Sequence, residues 1–461
     1  MSIPIGCHGL VRGARWSLFV LVLASGAARA AIPASERQAL LDLYTSTNGA
    51  GWALSTNWNG VVGTECTWFG VTCDGAQTTV LDTTLNFNNL VGPLPATIGN
   101  LVGLQTLDLA FNQLSGTIPS FATNTALSSL DLHNNQLSGT IPSFAANTAL
   151  SALELSDNQL TGTIPSFAAN PALEFLYLNS NPLSGTIPSF AANTALRVLV
   201  LYSNQLSGTI PSFATNTALQ ILHLSSNQLT GAIPSFAANT ALRNLYLHDN
   251  QLSGAIPSFA ANTALQVLYL QKNQLSGTVP SFGANTALVY LSLDSNQLIG
   301  SVDPSLGTLT NLNAGNGLDL RWNALSSTNA SLIAFLNSKQ SGGDWQGTQT
   351  IPVTGLSVSG ITGSQVTVNW APITYTADPG NYQVFTSTVS GGPYTPFATV
   401  TVDKSATSLA VTGLAPLTPY YFVVQTTTAP HALNQNTVLS GDSAEVSTAT
   451  TPVELMSFQV E

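Results

Sequence analysis

Three carboxylic acids recur at intervals of 23 residues in the first half of the chain: Asp108, Asp131 and Glu154. In a repetitive sequence, equal spacing predicts that such residues occupy neighbouring rungs of one stack, about 4.8 Å apart. Carboxylates at that separation repel one another, and a cation or a basic partner relieves the repulsion. Three interpretations stay open: a calcium site, a surface for a basic partner segment, and an ordinary solvated face.

Two histidines, His223 and His248, fall one rung and one column apart in the same pattern. Zinc would need further ligands at suitable geometry, and none is evident, so we expect hydrogen-bonding surface histidines. Glu154 beside His133 suggests a hydrolase pair, but the sequence has no nucleophile elbow, Gly-rich phosphate loop or zinc helix motif. We therefore predict no catalytic residues, no metal and no cofactor.

Aromatic side chains recur at the same outward positions, and Tyr and Trp are common at binding hot spots. The core residues hardly change from copy to copy while these positions vary, which favours a binding surface over drift at solvated sites. The residues predicted to bind a ligand are Asp108, Asp131, Glu154, Phe175, Tyr177, Tyr202, His223, Tyr246, His248, Tyr269, Tyr290 and Trp322.

The elements that must position these side chains follow from an asparagine that recurs every 23 residues from Asn112 to Asn296. Each asparagine stands in the frame Leu-x-Leu-x-x-Asn-x-Leu. An irregular copy at Asn88 and a last copy at Asn323 bring the count to eleven. A fixed period of this length predicts a solenoid.

Each copy is expected to begin with a strand such as 129–133, its leucines inward and the alternate residues outward. The asparagine column should be buried, with its amides bonded to the backbone of its own and the neighbouring turn. A phenylalanine column, from Phe121 to Phe282, should stack toward the back of the coil.

These motifs resemble the plant-type subclass of leucine-rich repeats, whose pattern continues through Gly-x-Ile-Pro, as in Gly139-Thr140-Ile141-Pro142. The segment Cys66-Thr67-Trp68-Phe69-Gly70-Val71-Thr72-Cys73 resembles the cap that precedes such repeats. The resemblance implies a repeat solenoid of α/β type, with a parallel β-sheet on its concave face. It also implies binding of other macromolecules, often proteins, on that face.

The amino-acid composition narrows the classes of partner that we expect. Only 7% of the 461 residues are charged, which makes nucleic acid or an anionic membrane an unexpected partner. Arg12 and Arg15 precede an apolar run and Ala28-Arg29-Ala30, as in an export signal. Removal of that signal takes away three of the ten Lys and Arg and changes the net charge from −11 to −14. Cys66 and Cys73 then remain, and in an exported chain their proximity favours a disulfide over a metal site.

After the repeats, short alternating strands with frequent turn signals predict an all-β sandwich. Trp370 and the motif Leu414, Pro416, Thr418 and Tyr420 resemble a fibronectin type III domain. Residues 452–458 resemble the lead-in to bacterial C-terminal sorting tails, which suggests a bacterial source. The predicted division is 1–30 signal peptide, 31–80 cap, 81–325 repeats, 326–351 closing cap and linker, 352–450 sandwich and 451–461 tail.

The sequence therefore predicts a secreted or cell-surface protein, without enzymatic activity or membrane insertion, that binds a protein or glycan partner on the repeat face. An alternative is a polysaccharide-acting enzyme or its accessory module, and a purely structural role is a third. Oligomeric state, anchoring and the partner's identity stay open.

Overall fold

The computed structural model describes residues 31–448, so the predicted export signal and the C-terminal tail lie outside the described residues. The described chain opens with a helix, Ala34–Ser46, that packs on the first turn of a long coil. The Cys66–Cys73 disulfide is present in this N-terminal cap. Trp52, Trp58 and Trp68 are buried there and cover the end of the coil's core. A solenoid needs such a cover, because its first copy has no preceding neighbour.

The coil carries two sheets. The first sheet has twelve strands, and all its pairings are parallel except that of its first two strands. The nine strands from Thr106–Asp108 to Tyr290–Ser292 each have a buried leucine at their centre, such as Leu130 or Leu153, worth about 1.5–3 kcal/mol when fully buried. The strands are Val71–Cys73, Val80–Thr84, Thr106–Asp108, Ser129–Asp131, Ala152–Glu154, Phe175–Tyr177, Val198–Val200, Ile221–His223, Asn244–Tyr246, Val267–Tyr269, Tyr290–Ser292 and Leu318–Asp319.

The second sheet was not predicted. It has eleven strands formed by the segment that follows each repeated asparagine, which reads Gln-Leu-Ser-Gly-Thr in copies such as 136–140. Its Gly139 has φ of +77°, and a Cβ there would lie 2.9 Å from the Thr117 methyl of the preceding copy. The strands are Val91–Pro93, Gln113–Thr117, Gln136–Thr140, Gln159–Thr163, Leu183–Thr186, Gln205–Thr209, Gln228–Gly231, Gln251–Ala255, Gln274–Gly277, Gln297–Ser301 and Ala324–Ser326.

Asparagine amides join the two sheets as the sequence predicts. Asn158 donates from Nδ2 to the carbonyls of Leu132, Leu155 and Ser156, and its Oδ1 accepts from the Leu137 amide. This bonding satisfies both ends of a buried amide, which would otherwise be costly. The predicted strand 129–133 is shorter, Ser129–Asp131, because the chain turns at Asn134 with φ of +52°.

Two further columns fill the back of the coil. The Phe121 and Phe144 rings stack with centroids 6.3 Å apart, and the pattern continues to Phe282. Beside them runs a second asparagine column, in which Asn147 donates to the carbonyls of Phe121 and Asn124. Its members are Asn124, Asn147, Asn170, Asn193, Asn216, Asn239, Asn262 and Asn285.

A helix, Ala330–Lys339, closes the coil, and Asn329 caps its start by accepting from the Leu332 amide. A β-sandwich follows with its own core around Trp370 and Tyr382. One of its sheets contains Thr354–Ser359, Gln365–Ala371 and Ser408–Thr412. The other contains Thr395–Val400, Gly380–Ser387, Tyr421–Thr428, Val438–Leu439 and Val446–Ser447. Neither helix has the length and apolar character that a bilayer span requires within residues 31–448.

Candidate ligand-binding face

The outward side of the first sheet displays two columns of side chains. Strand register sets Asp131 opposite Asp108 and Glu154, so the same repeat position lines up from copy to copy. The first column, between the strand leucines, is Asp108, Asp131, Glu154, Tyr177, Val200, His223, Tyr246, Tyr269, Ser292 and Asp319. The second column, two residues later, is Ala110, His133, Ser156, Asn179, Tyr202, Ser225, His248, Gln271, Asp294 and Arg321.

The middle of this face is an aromatic tract, defined by Tyr202, His223, Tyr246, His248, Tyr269 and Tyr290. The ring centroids of His223 lie 4.4 Å from Tyr202 and 4.5 Å from Tyr246. Tyr269 continues the tract at 5.5 Å from Tyr246, with Tyr290 a further 6.3 Å along. The four tyrosines are half-buried. Rings from five successive copies therefore form one continuous surface.

Burial keeps this tract uncharged. Desolvation lowers the pKa of His223 to about 3, and His248 adds to the effect. Desolvation likewise lowers the pKa of His248 and raises that of Tyr269 to about 12. The prediction that His223 lies at the surface is wrong, because the flanking tyrosine rings leave it only 8% exposed.

Three polar atoms in and beside the tract have no hydrogen-bond partner within the described residues. They are Nδ1 of His223, Nδ1 of His248 and Oε1 of Gln271, and all three are buried. His223 uses its other nitrogen, 2.7 Å from the Ser225 hydroxyl. Buried polar atoms are normally paired, so these three are exceptions to the usual pattern.

An acidic cluster precedes the tract. His133 Nδ1 lies 2.5 Å from Asp131 Oδ1 and 3.8 Å from Glu154 Oε2. Desolvation raises the pKa of Glu154 to about 7, with repulsion from Asp131 as the next cause. The pKa of His133 is raised because its carboxylate partners outweigh the opposing effect of burial. Burial also raises the pKa of Asp108.

This cluster could hold a divalent cation. The candidate ligand atoms of Asp131, His133 and Glu154 all lie within 4.8 Å of one another. One imidazole nitrogen with carboxylate oxygens suits a borderline metal such as zinc better than calcium, which prefers oxygen alone. The other histidine pair considered for metal binding, His223 and His248, has ring centroids 6.0 Å apart. The sequence prediction of no metal stays a prediction.

The other predicted residues fall in different surroundings. Tyr177 pairs in register with Glu154 and Val200, between the acidic cluster and the tract. Phe175 is half-buried two residues earlier, with the Arg197 guanidinium 5.9 Å from its ring. Trp322 does not continue the tract, because it follows its strand at the turn and packs against the sandwich core. The structure thus gathers most of the predicted tyrosines and sets Trp322 apart.

Sequence reasoning missed two exposed aromatic residues, Phe87 and Phe111. Their rings stack with centroids 4.0 Å apart, and Phe111 packs edge-on to His133 at 4.5 Å. The sequence feature that could have identified them is their shared position, because each directly precedes a repeated asparagine, Asn88 or Asn112. Most other copies have a small polar residue at that position.

The sandwich meets the end of the coil through asparagine side chains. Asn434 donates to the carbonyls of Asn296, at 3.2 Å, and Trp322, at 2.9 Å. Asn436 donates to the Asn273 carbonyl at 2.5 Å, and the Ser295 hydroxyl donates to the Leu433 carbonyl. One loop of the sandwich therefore bonds the turns of three successive copies.

Family profiles match several parts of the chain. The leucine rich repeat N-terminal domain matches residues 33–74, and the fibronectin type III domain matches 351–438. Leucine rich repeats match 102–146, 172–193, 218–239 and 241–262. The chain thus contains leucine-rich repeats and a fibronectin type III domain, as the sequence predicts.

Curated relatives match over short segments. Receptor-like protein 3 of Arabidopsis thaliana is 34% identical over 104 residues, 22% of this chain and 13% of that protein. The receptor protein kinase WSS1 of Oryza sativa subsp. japonica is 35% identical over 105 residues, 23% of this chain and 11% of that protein. The kinase relatives match only in the repeat region.

Solved structures match over more of the chain. The crystal structure of PEPR1–AtPEP1 aligns with a TM-score of 0.58 and 35% identity, covering 63% of this chain and 42% of that chain. The plant peptide hormone receptor RGFR1 in complex with RGF2 aligns with a TM-score of 0.53 and 37% identity, covering 55% and 42%. The chain spans less than half of each of these two chains.

Proposed function

We propose that this chain is a non-enzymatic binding protein that recognises a peptide or a protein segment along the outward face of its first sheet. The aromatic tract is the observation that carries the proposal. Tyr202, Tyr246, Tyr269 and Tyr290 supply rigid, amphipathic contact area, which costs little conformational entropy on binding.

The tract suits an extended polypeptide. Successive rungs lie about 4.8 Å apart, so the five copies from Tyr202 to Tyr290 span about 20 Å, the length of about six extended residues. The unpaired nitrogens of His223 and His248 and the Gln271 side-chain oxygen lie buried along that path, and a ligand would reach them by displacing a flanking ring. A peptide has a backbone donor and acceptor at every residue and can meet such a row.

The solved neighbours support the choice of ligand class. The matched PEPR1 structure is a complex with AtPEP1, and the matched RGFR1 structure is a complex of a peptide hormone receptor with RGF2. Both align with more than half of this chain at more than 30% identity. We propose that this chain likewise binds a peptide, through its own aromatic tract.

We place this binding outside the cell. The resemblance of residues 1–30 to an export signal and the Cys66–Cys73 disulfide support that location. The tail resemblance supports a bacterial source. The sandwich would act as a spacer or a second contact, and its loop from Leu433 to Asn436 fixes it to the last copies.

The test uses the full chain as bait in extracts of neighbouring or host cells. One bait carries Tyr177, Tyr202, Tyr246 and Tyr269 changed to Ala. A matched control carries four exposed second-sheet residues, Gln136, Gln159, Gln205 and Gln251, changed to Ala.

We expect a partner captured by the native and control baits and lost from the tyrosine variant. Equal capture by all three baits would refute the proposal. Selective retention of a glycan on an array, or hydrolysis of a glycan, would favour the alternative of a polysaccharide-acting module.

A further inference from the structure

Every copy of the repeat leaves the first sheet through a residue with positive φ, directly before the repeated asparagine. At eight of these turns the residue is Asn, Asp, Ser or Lys, from Asn134 to Ser295. The other three are aromatic: Phe87, Phe111 and Trp322, with φ of 52°, 53° and 54°. All eleven copies share this positive φ, so the repeat's turn imposes it, and these three copies differ from the others in having an aromatic side chain there.

The copy at Trp322 shows what an aromatic ring at this turn can do. The guanidinium of Arg321 lies 4.5 Å from the Trp322 ring centroid. The same guanidinium donates from Nε to Oδ1 of Asp319 at 2.9 Å. In this repeat geometry, one guanidinium therefore reaches both the first-column carboxylate and the turn aromatic.

The copy that contains Phe111 has a carboxylate and an aromatic ring at the same two positions, but it has no cationic side chain between them. Asp108 occupies the first column and Phe111 the turn, but Ala110 stands where the other copy has Arg321. The Asp108 carboxylate accepts only from neutral donors among the contacts around it: the Asn86 amide at 2.8 Å and the Ala110 backbone at 3.1 Å. The preceding copy adds a second ring, Phe87, stacked on Phe111.

This arrangement is open to a ligand. Phe87 is 67% exposed and Phe111 is 40% exposed, whereas Trp322 is covered by the sandwich. His133 is the nearest group that can become cationic, and it is already bonded to Asp131. His133 also packs edge-on to Phe111, with ring centroids 4.5 Å apart, and Phe87 is the more exposed of the two rings.

The charge of the surrounding chain favours a cationic occupant. Between Arg37 and Arg197 the sequence has no Lys or Arg and nine Asp and Glu. Four of the nine acids, Asp82, Asp108, Asp131 and Glu154, belong to first-sheet strands. A ligand that brings positive charge to this part of the face is attracted to it at long range and offsets the repulsion among the acids.

We infer that Asp108 and the Phe87–Phe111 pair form a site for an arginine side chain of the bound peptide. Arginine fits better than lysine, because its planar guanidinium can stack on a ring while its fork of donors bonds a carboxylate. The inference rests on the proposed function, since it assigns one end of the same ligand. The peptide would then lie with its arginine on the N-terminal copies and its apolar residues on the aromatic tract.

The test titrates the full chain with the amide of N-acetylarginine and follows the ring proton signals of Phe87 and Phe111 by NMR. Matched probes are the citrulline, lysine and leucine derivatives. We expect saturable shifts with arginine and weaker ones with lysine. Citrulline, which keeps the shape and loses the charge, should give none.

Two variants localise the binding. Asp108→Asn should weaken it about tenfold, as loss of a charge-assisted bond does, and Phe87→Ala about threefold. The control, Asp157→Asn, removes one charge from an exposed turn two copies further on and should change the affinity less than about twofold. Equal effects of Asp108→Asn and Asp157→Asn, or equal binding of citrulline or leucine, would overturn the inference.

A further variant separates this site from the proposed function. Changing Tyr246 and Tyr269 to Ala should leave binding of the arginine probe intact. If the partner captured by the native bait also bound that variant unchanged, the proposed function would fail while the arginine site stood. If the probe bound nowhere near Asp108, the arginine site would fail while the aromatic tract stood.

Discussion

The imidazole of His223 stacks on the phenol ring of Tyr202, with centroids 4.4 Å apart and an interplanar angle of 30°. The two residues come from adjacent copies and different columns, so the stack crosses the face diagonally. Such packing removes the imidazole from water and disfavours its charged form. The centre of the face is therefore aromatic and neutral, whereas the N-terminal copies are acidic.

The pKa values of His223 and His133, both on this face, should be shifted in opposite directions. His223, with a pKa lowered to about 3 by burial, should stay neutral from pH 8 down to about 4. His133, beside Asp131 and Glu154, should protonate above the usual pH for histidine. NMR titration of the imidazole signals measures both values. A His223 midpoint near 6.5 would contradict the packing described for the tract.

Glu154 should make the N-terminal copies less stable as pH rises. Its folded pKa of about 7 exceeds the ordinary value of 4.5. Folding is therefore favoured below pH 4.5, and this contribution is lost as pH rises to about 7. The unfolding midpoint in urea, measured from pH 4.5 to 8, should fall less steeply for Glu154→Gln than for the native chain. Glu174→Gln, at the surface beside Arg197, is the control and should follow the native slope.

Removing one amide of the first asparagine column should destabilise the coil. Asn158→Ala leaves three carbonyls and the Leu137 amide without their side-chain partner. Unpaired buried groups cost about 1–3 kcal/mol each, so we expect a loss of about 3 kcal/mol after partial relaxation. Urea unfolding followed by circular dichroism measures it. The exposed neighbour Gln159→Ala should cost less than about 0.5 kcal/mol, and equal losses would refute the role of the column.

Asn434 should hold the sandwich to the coil. Asn434→Ala removes the donors to the Asn296 and Trp322 carbonyls and should let the sandwich move relative to the repeats. Small-angle X-ray scattering should then show a larger radius of gyration. The control is Asn369→Ala, in the sandwich and away from the junction, which should leave the native profile. An unchanged profile for Asn434→Ala would mean that the other junction bonds suffice.

Repetition made much of the coil predictable. The first-sheet leucines, the bonded amides of the Asn112 column and the stacked phenylalanines from Phe121 onward follow from period and residue type, because each copy must bury the same face. The second sheet was harder to predict. Its Gln-Leu-Ser-Gly-Thr strands contain glycine and polar residues, which suggest a turn rather than a strand. The second asparagine column recurs as regularly as the first. Its amides bond at the back of the coil, and no role was predicted for them.

The columns of the candidate site could be predicted from the sequence, but the contacts between its side chains could not. Register followed from the period, so the predicted tyrosines lie side by side. The burial of His223 depends on the ring orientations of its neighbours, which spacing does not specify. Phe87 and Phe111 were not predicted because they lie after the strands, at a turn that brings them onto the same face. The cover over Trp322 depends on where the sandwich docks, which local sequence does not state.

The most direct test of ligand recognition on the aromatic tract is the affinity of the captured partner, measured by isothermal titration calorimetry. Changing Tyr246 and Tyr269 to Ala should weaken binding at least about thirtyfold, as expected when hot-spot aromatics worth about 2 kcal/mol are truncated. The four-glutamine variant of the second sheet should bind as the native chain does. Native affinity in a folded Tyr246→Ala, Tyr269→Ala chain would contradict the proposal that this face holds the ligand.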